Sequence, residues 1–222
     1  MDGLIVLNYK TYDETTGDKA VMLSKICDSV AMETGAKIIV VPQFTDIYRI
    51  SKEVKVPVYA QHVDDVKFGG FTGSVLPESV KAAGATGSLL NHSEKRLKLS
   101  EIDAGVQKLR ALGMVSIVCT NNIAVSVAAA ALGPDYVAIE PPELIGSGIS
   151  VAQVKPEVVS GSVAAVKKVN PKVRVLCGAG IGKGDDVRKA LELGTEGVLL
   201  ASGVIKAKDP RAVLLDLVKG LK

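Results

Sequence analysis

The sequence is short of aromatic side chains, and this shortage constrains how its core can be built. It contains no Trp, and aromatic residues make up 4% of the 222 residues, whereas hydrophobic residues make up 47%. A large core of this composition must consist mainly of aliphatic side chains. The length suits one domain better than two. No linker, low-complexity tract or run of like charge divides the chain.

The net charge is small, cysteines are few and long apolar runs are missing, and each of these features argues against a class of protein. The formal net charge is +3 without a clustered basic patch, so nucleic-acid binding is not indicated. Cys27, Cys119 and Cys177 are odd in number and widely separated, which predicts reduced thiols and no metal site. No signal peptide is visible, and no apolar run approaches the ~18 residues of a membrane span. We expect a soluble, cytoplasmic protein that binds neither nucleic acid nor membrane.

Short β-branched runs alternate with helix-like segments from one end of the chain to the other. The predicted strands are almost continuously apolar, as parallel strands buried on both faces are; they cover 3–8, 37–41, 56–61, 86–91, 115–120, 135–140, 173–178 and 197–200. Helices are predicted over 17–34, 77–83, 101–112, 122–132, 156–169, 184–193 and 210–219. This alternation predicts an α/β fold, a single (β/α)8 barrel domain over residues 1–222.

Local signals support this division, and one of them weighs against the alternative fold. Glycines at 35, 84, 113, 133 and 194 are predicted to end helices, and Ser100–Asp103 is predicted to form a capping box. The alternative is an open doubly wound sheet, which would favour a glycine-rich fingerprint after the first strand. Asn8-Tyr9-Lys10 stands there instead.

Polar side chains collect at the predicted C-terminal ends of the strands, where barrels of this kind carry their chemistry. Asn8 and Lys10 follow the first strand, His92 the fourth and Glu140 the sixth. Taken singly, each is more often a surface or structural residue. Together on one rim, a cation, an imidazole and a carboxylate indicate an active site. His62, in AQHVDD, is interpreted as structural.

Two small-residue turns and a long loop complete the predicted rim. CGAGIG (177–182) ends the seventh strand and precedes a helix at 184–185, and ASG (201–203) follows the eighth. Such turns with a helix N-terminus bind phosphate through backbone N–H groups, a feature that FMN and sugar-phosphate barrels share. EPPELIGSG (140–148) has a proline-stiffened start, an apolar tip and a glycine-rich end, which is typical of a hinged lid. Glu140 at its root would lose water on closure.

These motifs resemble triosephosphate isomerases along essentially the whole chain. The matching segments are N-x-K at 8–10, FGGFTG at 68–73, NHSEKR at 91–96, AIEPPELIGSG at 138–148, CGAGIG at 177–182 and GVLLASG at 197–203. The short length and the PPELIG lid are similar to the archaeal branch of the family. The resemblance implies interconversion of dihydroxyacetone phosphate and D-glyceraldehyde 3-phosphate through an enediolate in glycolysis and gluconeogenesis, with no cofactor and no metal.

The resemblance also implies a role for each matching residue. Glu140 would be the base, and His92 would polarise the carbonyl and shuttle protons. Lys10 would offset negative charge, Asn8 would orient the substrate, and Glu94 would anchor Lys10. Further substrate contacts are implied at Ile145, Gly146, Gly180, Ala201 and Ser202, with N–H groups of the last four on the phosphate. A short helix beginning at Ser93 is expected to keep His92 neutral.

The resemblance departs from the longer family members at the lid, where Glu143 stands in the region of their aromatic residue. It also implies a homo-oligomer in which loop 68–75 packs on a neighbouring copy and Thr72 reaches its active site. The archaeal form favours a homotetramer, with a dimer as the alternative. Two other functions stay open on the residues alone: a non-catalytic phosphate-binding barrel, and another sugar-phosphate barrel enzyme.

Overall fold

Eight parallel strands form the centre of the molecule in a computed structural model that describes residues 3–141 and 150–222. The strands are β1 Leu4–Asn8, β2 Lys37–Val41, β3 Tyr59–Ala60, β4 Gly87–Leu90, β5 Val115–Thr120, β6 Tyr136–Ile139, β7 Arg174–Gly178 and β8 Gly197–Leu200. The described helices are α1 Asp18–Thr34, α2 Ile47–Glu53, α3 Pro77–Ala82, α4 Leu99–Ala111, α5 Ile123–Ala131, α6 Val151–Val154, α7 Pro156–Val169, α8 Gly184–Glu192, α9 Ser202–Ile205 and α10 Pro210–Lys219.

Hydrogen-bonded neighbours run in the order β2-β1-β8-β7-β6-β5-β4-β3, and all paired strands are parallel. The two ends of this sheet meet at one parallel bridge between Val40 and Val58. The strands therefore form a nearly closed TIM barrel, which confirms the predicted fold. Since all strands point the same way, their C-terminal ends gather on one rim.

The core has two layers, which explains why the strands are apolar on both faces. One set of buried side chains fills the barrel, including Val6, Leu89, Ile117, Leu176 and Leu199. The other set lies between the strands and the surrounding helices. Successive strand residues point alternately to these two layers, so that neither face of a strand tolerates water.

Helix termini follow the sequence where the capping chemistry is local. The five glycines that were predicted to end helices all have left-handed φ angles. The predicted capping box at Ser100 is wrong, because α4 begins two residues earlier: Glu101 accepts a hydrogen bond from the N–H of Lys98 at 2.8 Å. The capping box therefore begins at Lys98, two residues before the predicted start at Ser100.

Short elements were the ones that the sequence analysis missed or misjudged. Helices α2, α6 and α9 were not predicted, since segments of four to seven residues carry too little periodicity. Strand β3 covers two residues of the predicted 56–61, and Pro57, which has no N–H to donate, lies in the part that is not strand. No described helix is long and apolar enough to cross a membrane.

Candidate active site

The end of β1 presents a lysine that is held in place by its neighbours. Asn8 is buried, and its side-chain oxygen accepts the N–H of Lys10 at 3.0 Å. Lys10 has a φ of 49°, an uncommon conformation for a residue with a side chain. Gln61 fixes it further by donating to the Lys10 carbonyl at 2.8 Å. Lys10 Nζ lies 2.8 Å from Glu94 Oε1, as the resemblance implied.

His92 follows β4 and is buried, with defined contacts on both ring nitrogens. Its Nδ1 accepts the backbone N–H of Glu94 at 3.2 Å. The Glu94 carboxylate lies 3.5 Å from the same nitrogen, but that carboxylate is bound to Lys10. An Nδ1 that accepts an N–H carries no proton. The neutral ring then bears its proton on Nε2, which faces Glu140 Oε1 at 3.8 Å.

The segment after His92 is a turn, so the predicted helix at Ser93 is wrong. The turn is closed by the N–H of Lys95 donating to the His92 carbonyl at 2.8 Å, and α4 begins only at Leu99. Asn91 holds this loop in place: its side chain donates to the Cys119 carbonyl and accepts from the N–H of Leu97, both at 2.9 Å. The ring of His92 is therefore oriented by a single hydrogen bond from the Glu94 N–H to Nδ1, and not by a helix dipole.

Glu140 follows β6 and is 4% exposed. Its backbone N–H donates to Thr120 at 2.8 Å, which fixes the start of the side chain. Among residues 3–141 and 150–222, Oε2 has no hydrogen-bond partner. A buried polar atom without a partner is uncommon in a purely structural residue and marks Glu140 as a candidate functional group.

Gly178 supplies the space that Glu140 occupies. Ile139 pairs with Cys177 across β6 and β7, so the next residues along the two strands, Glu140 and Gly178, lie side by side. A Cβ on Gly178 would come within 2.4 Å of Glu140 Cγ and 3.0 Å of its Cδ. No distinctive signal in CGAGIG marked this glycine, because its importance depends on the register of two strands.

Two thiols flank the same carboxylate. Burial, and second to it the charge of Glu140, raises the pKa of Cys119 well above its ordinary value and that of Cys177 to about 12. Both thiols therefore stay protonated over the physiological range and do not compete with Glu140 as bases.

The turns after β7 and β8 face the same space, and each leads into a helix. In α8, the N–H of Gly184 donates to Asp216 at 2.7 Å, and those of Gly182 and Lys183 donate to Asp186 at 3.0 and 3.2 Å. The expected anion site at the start of α8 is therefore already taken up by carboxylates. Helix α9 begins at Ser202 after Ala201, and the first N–H groups of a helix have no acceptor inside it.

These strand ends surround a cavity of ≈ 90 Å³ that opens to solvent. Its lining includes seven residues that the sequence analysis assigned to the site: Asn8, Lys10, His92, Glu140, Gly180, Ala201 and Ser202. Glu94 lines an adjoining cavity. Ile145 and Gly146, with the rest of the predicted lid from 142 to 149, lie outside the described residues.

The cavity also includes residues that the sequence analysis did not single out. Tyr12 lines it, and Lys206 lies 4.7 Å from the centre of the Tyr12 ring. Ala179 and Leu199 contribute apolar surface. Tyr12 carried a usable signal, since it is an aromatic residue just after a strand end in a chain with few aromatics; the aliphatic residues carried none.

Comparison with known proteins finds one family along almost the whole chain. The family model described as triosephosphate isomerase matches residues 3–221. The triosephosphate isomerase of Methanothermus fervidus is 62% identical over 215 residues, which cover 97% of each chain. That of Methanosarcina barkeri is 59% identical over 215 residues, again 97% of each chain. That of Methanocaldococcus jannaschii is 54% identical over 216 residues, 97% of this chain and 99% of the relative.

Proposed function

The chain belongs to the triosephosphate isomerase family, and we propose that Glu140, His92 and Lys10 carry out its reaction. The chain is an isomerase that interconverts dihydroxyacetone phosphate and D-glyceraldehyde 3-phosphate. One proton moves between neighbouring carbons and another between their oxygens. The observation that carries the assignment is that the buried Glu140 carboxylate lies 3.8 Å from the His92 imidazole in one cavity, with one carboxylate oxygen that has no hydrogen-bond partner among the described residues.

Glu140 removes the proton from the carbon that lies beside the carbonyl, leaving an enediolate. His92 donates its Nε2 proton to the carbonyl oxygen and takes up the proton of the neighbouring hydroxyl in its place, and Glu140 delivers its proton to the neighbouring carbon. A carboxylate base with a neutral imidazole is the established pattern of this family. The Glu94 N–H on Nδ1 supports it, because it leaves Nε2 as the donor.

Lys10 and Asn8 act on the charge and position of the substrate. Lys10 Nζ stands at the edge of the cavity, where its charge stabilises the enediolate oxygen and the phosphate. Asn8 orients the substrate beside it, and Glu94 restrains the lysine through the 2.8 Å ion pair. The N–H groups of Gly180, Ala201 and Ser202 bind the phosphate; Ile145 and Gly146, which the resemblance also implies as substrate contacts, lie outside the described residues.

The test is a coupled assay with D-glyceraldehyde 3-phosphate on the wild-type chain and on Glu140→Gln. The variant keeps the size of the side chain and removes its basicity. We expect kcat to fall about 10²–10⁴-fold or more, while binding of inorganic phosphate changes by no more than about three-fold. A variant with wild-type kcat would show that another residue is the base.

We also propose that the chain assembles as a homo-oligomer through loop 68–75. Phe68 and Phe71 are 74% and 44% exposed on this loop, which is a large apolar surface for a free monomer. Its base is braced, because Asp64 donates its N–H to the Val75 carbonyl at 3.0 Å and accepts the Val75 N–H on its side chain. A cavity of ≈ 400 Å³ that Lys10 and Glu94 help to line offers a place for such a loop.

In this assembly Thr72 of one copy lies against Lys10 and Glu94 of another, and a homotetramer would consist of two such dimers. Sedimentation of a Phe71→Asp, Thr72→Asp double variant tests the proposal. We expect smaller species and lower activity, whereas Met22→Asp, which changes an exposed apolar residue on α1, should sediment as the wild type does. A fully active monomeric double variant would contradict the proposal.

The three free, buried cysteines support a cytoplasmic location.

A further inference from the structure

Asp186 is a buried carboxylate for which the reaction gives no role. It lies in the first turn of α8 and is 4% exposed. Among the described parts of the chain it has no ion pair, so its charge is held by hydrogen bonds alone. A buried carboxylate is unfavourable unless several donors point at it, and the identity of those donors indicates its role.

The donors come from the two segments that border the phosphate end of the cavity. Oδ2 accepts the N–H groups of Gly182 and Lys183, at 3.0 and 3.2 Å, from the turn that follows β7. Oδ1 lies 3.5 Å from the side-chain nitrogen of Gln153 in α6, a long contact. Asp186 thus joins the β7 turn to the helix that follows the predicted lid in sequence.

The turn that Asp186 holds is strained. Ala179 and Gly180 have φ angles of 71° and 73°, and a left-handed conformation is unfavourable at Ala179 because it has a Cβ. Such a conformation persists only where surrounding contacts enforce it. One contact is the N–H of Val151 in α6, 3.3 Å from the Ala179 carbonyl. The other restraint is the Asp186 carboxylate, which accepts the N–H of Gly182, two residues past Gly180.

We propose that Asp186 is a positioning residue for phosphate recognition: it holds the β7 turn and α6 together, so that the N–H of Gly180 points into the cavity. The inference rests on the proposed phosphate site. In this role Asp186 acts through Gly180 and Gln153 and does not contact the substrate. The position of Glu140 does not depend on Asp186, since Glu140 is fixed by β5, β6 and Gly178.

The role can be separated from general stability by comparing substrates with and without a phosphate. Asp186→Ala and Asp186→Asn are compared with wild type in three assays. These are kcat/KM for D-glyceraldehyde 3-phosphate, competitive inhibition by inorganic phosphate, and hydrogen exchange in D₂O at the hydroxyl-bearing carbon of glycolaldehyde. Glycolaldehyde has the reacting carbonyl and hydroxyl carbons but no phosphate, so it reports on Glu140 and His92 alone.

For Asp186→Ala we expect kcat/KM to fall and the phosphate inhibition constant to rise, each about 10-fold to 100-fold. Glycolaldehyde exchange should stay within about two-fold of wild type. Asp186→Asn keeps one acceptor oxygen for the Gly182 and Lys183 N–H groups. Its kcat/KM and its phosphate inhibition constant should therefore lie between those of wild type and Asp186→Ala. If Asp186→Ala does not fold, Asp186→Asn carries the test, with the same pattern at smaller size.

Asp185→Ala is the matched control, because it removes the same charge from the same helical turn. Asp185 is 68% exposed on its side chain and paired with Arg188 at 2.9 Å. We expect its phosphate inhibition constant to stay near the wild-type value. An effect equal to that of Asp186→Ala would mean that net charge, and not the hydrogen bonds of Asp186, is responsible, and would overturn the proposal.

Three further results would overturn it, and they point to two different errors. If phosphate inhibits wild type and both Asp186 variants equally, or if glycolaldehyde exchange falls as much as kcat/KM does, Asp186 has no specific positioning role. If phosphate does not inhibit the wild-type chain competitively, the proposed phosphate site itself is wrong, and the role of Asp186 is wrong with it.

Discussion

Replacing Gly178 by alanine should impair catalysis by displacing the proposed base. The new Cβ would lie 2.4 Å from Glu140 Cγ, whereas carbon atoms in contact stay about 3.5–4.0 Å apart. Glu140 would therefore have to move by roughly 1 Å, and a displacement of that size is enough to cost about 10²-fold in rate. The φ angle of Gly178 is not in the left-handed region, so the backbone itself accepts alanine.

The assay is kcat and KM for D-glyceraldehyde 3-phosphate, together with inhibition by inorganic phosphate. We expect kcat of Gly178→Ala to fall about 10²-fold, equivalent to about 2.7 kcal/mol of transition-state stabilisation. Phosphate should inhibit the variant with a constant within about three-fold of wild type, because Ala201 and Ser202 are unchanged. The two readouts separate a displaced base from a damaged phosphate site.

Gly161→Ala is the matched control for adding a methyl group in a packed place. Its Cβ would lie 2.9 Å from Ile123 Cδ1, which is the end of a flexible side chain and can move. Gly161 lies within α7, where alanine is favoured over glycine by up to about 1 kcal/mol. We expect wild-type kcat and no loss of stability. A Gly178→Ala chain with wild-type kcat would refute the tight placement of Glu140.

Three other predictions concern the thiols, the imidazole and the lid. Burial raises the pKa of Cys27 and Cys177 to about 12 and that of Cys119 well above its ordinary value, so ~0.1% of Cys27 and Cys177 is thiolate near pH 9 and Cys119 also stays a thiol; iodoacetamide should modify none in the native chain and all three after unfolding, and rapid native modification would contradict this burial. His92 should give the ¹⁵N shifts of a neutral ring protonated on Nε2 at pH 7, and imidazolium shifts would contradict the hydrogen-bond assignment. Deleting 144–146 from the lid should raise methylglyoxal formation relative to isomerisation, because water exclusion protects the enediolate; an unchanged ratio would count against a lid.

The barrel could be predicted from the sequence because its signals are local and repeated. The long strands are almost continuously apolar, and five of the seven predicted helices end at a glycine with a left-handed φ angle. Where the signal was short, the prediction was wrong or missing, as at β3 and at α2, α6 and α9. The predicted strand 56–61 was too long because it included Pro57, and helices of four to seven residues leave no periodic pattern to detect.

The polar residues of the site were predictable because barrel topology collects strand ends on one rim. Lys10, His92 and Glu140 line one cavity, although they are far apart in sequence. What could not be predicted depends on contacts between strands and loops. The space for Glu140 comes from Gly178 through the pairing of β6 with β7, and the blocking of α8 comes from Asp186 and Asp216.

The most direct test of the central claim is to follow the proton that Glu140 is proposed to move. Wild-type chain and Glu140→Gln convert D-glyceraldehyde 3-phosphate in D₂O, and ¹H NMR measures deuterium at C1 of dihydroxyacetone phosphate. We expect wild type to place deuterium at C1 as a carboxylate that exchanges with solvent returns it to the enediolate. Glu140→Gln, with phosphate binding retained, should show no incorporation on the same timescale. Wild-type incorporation by Glu140→Gln would contradict Glu140 as the base.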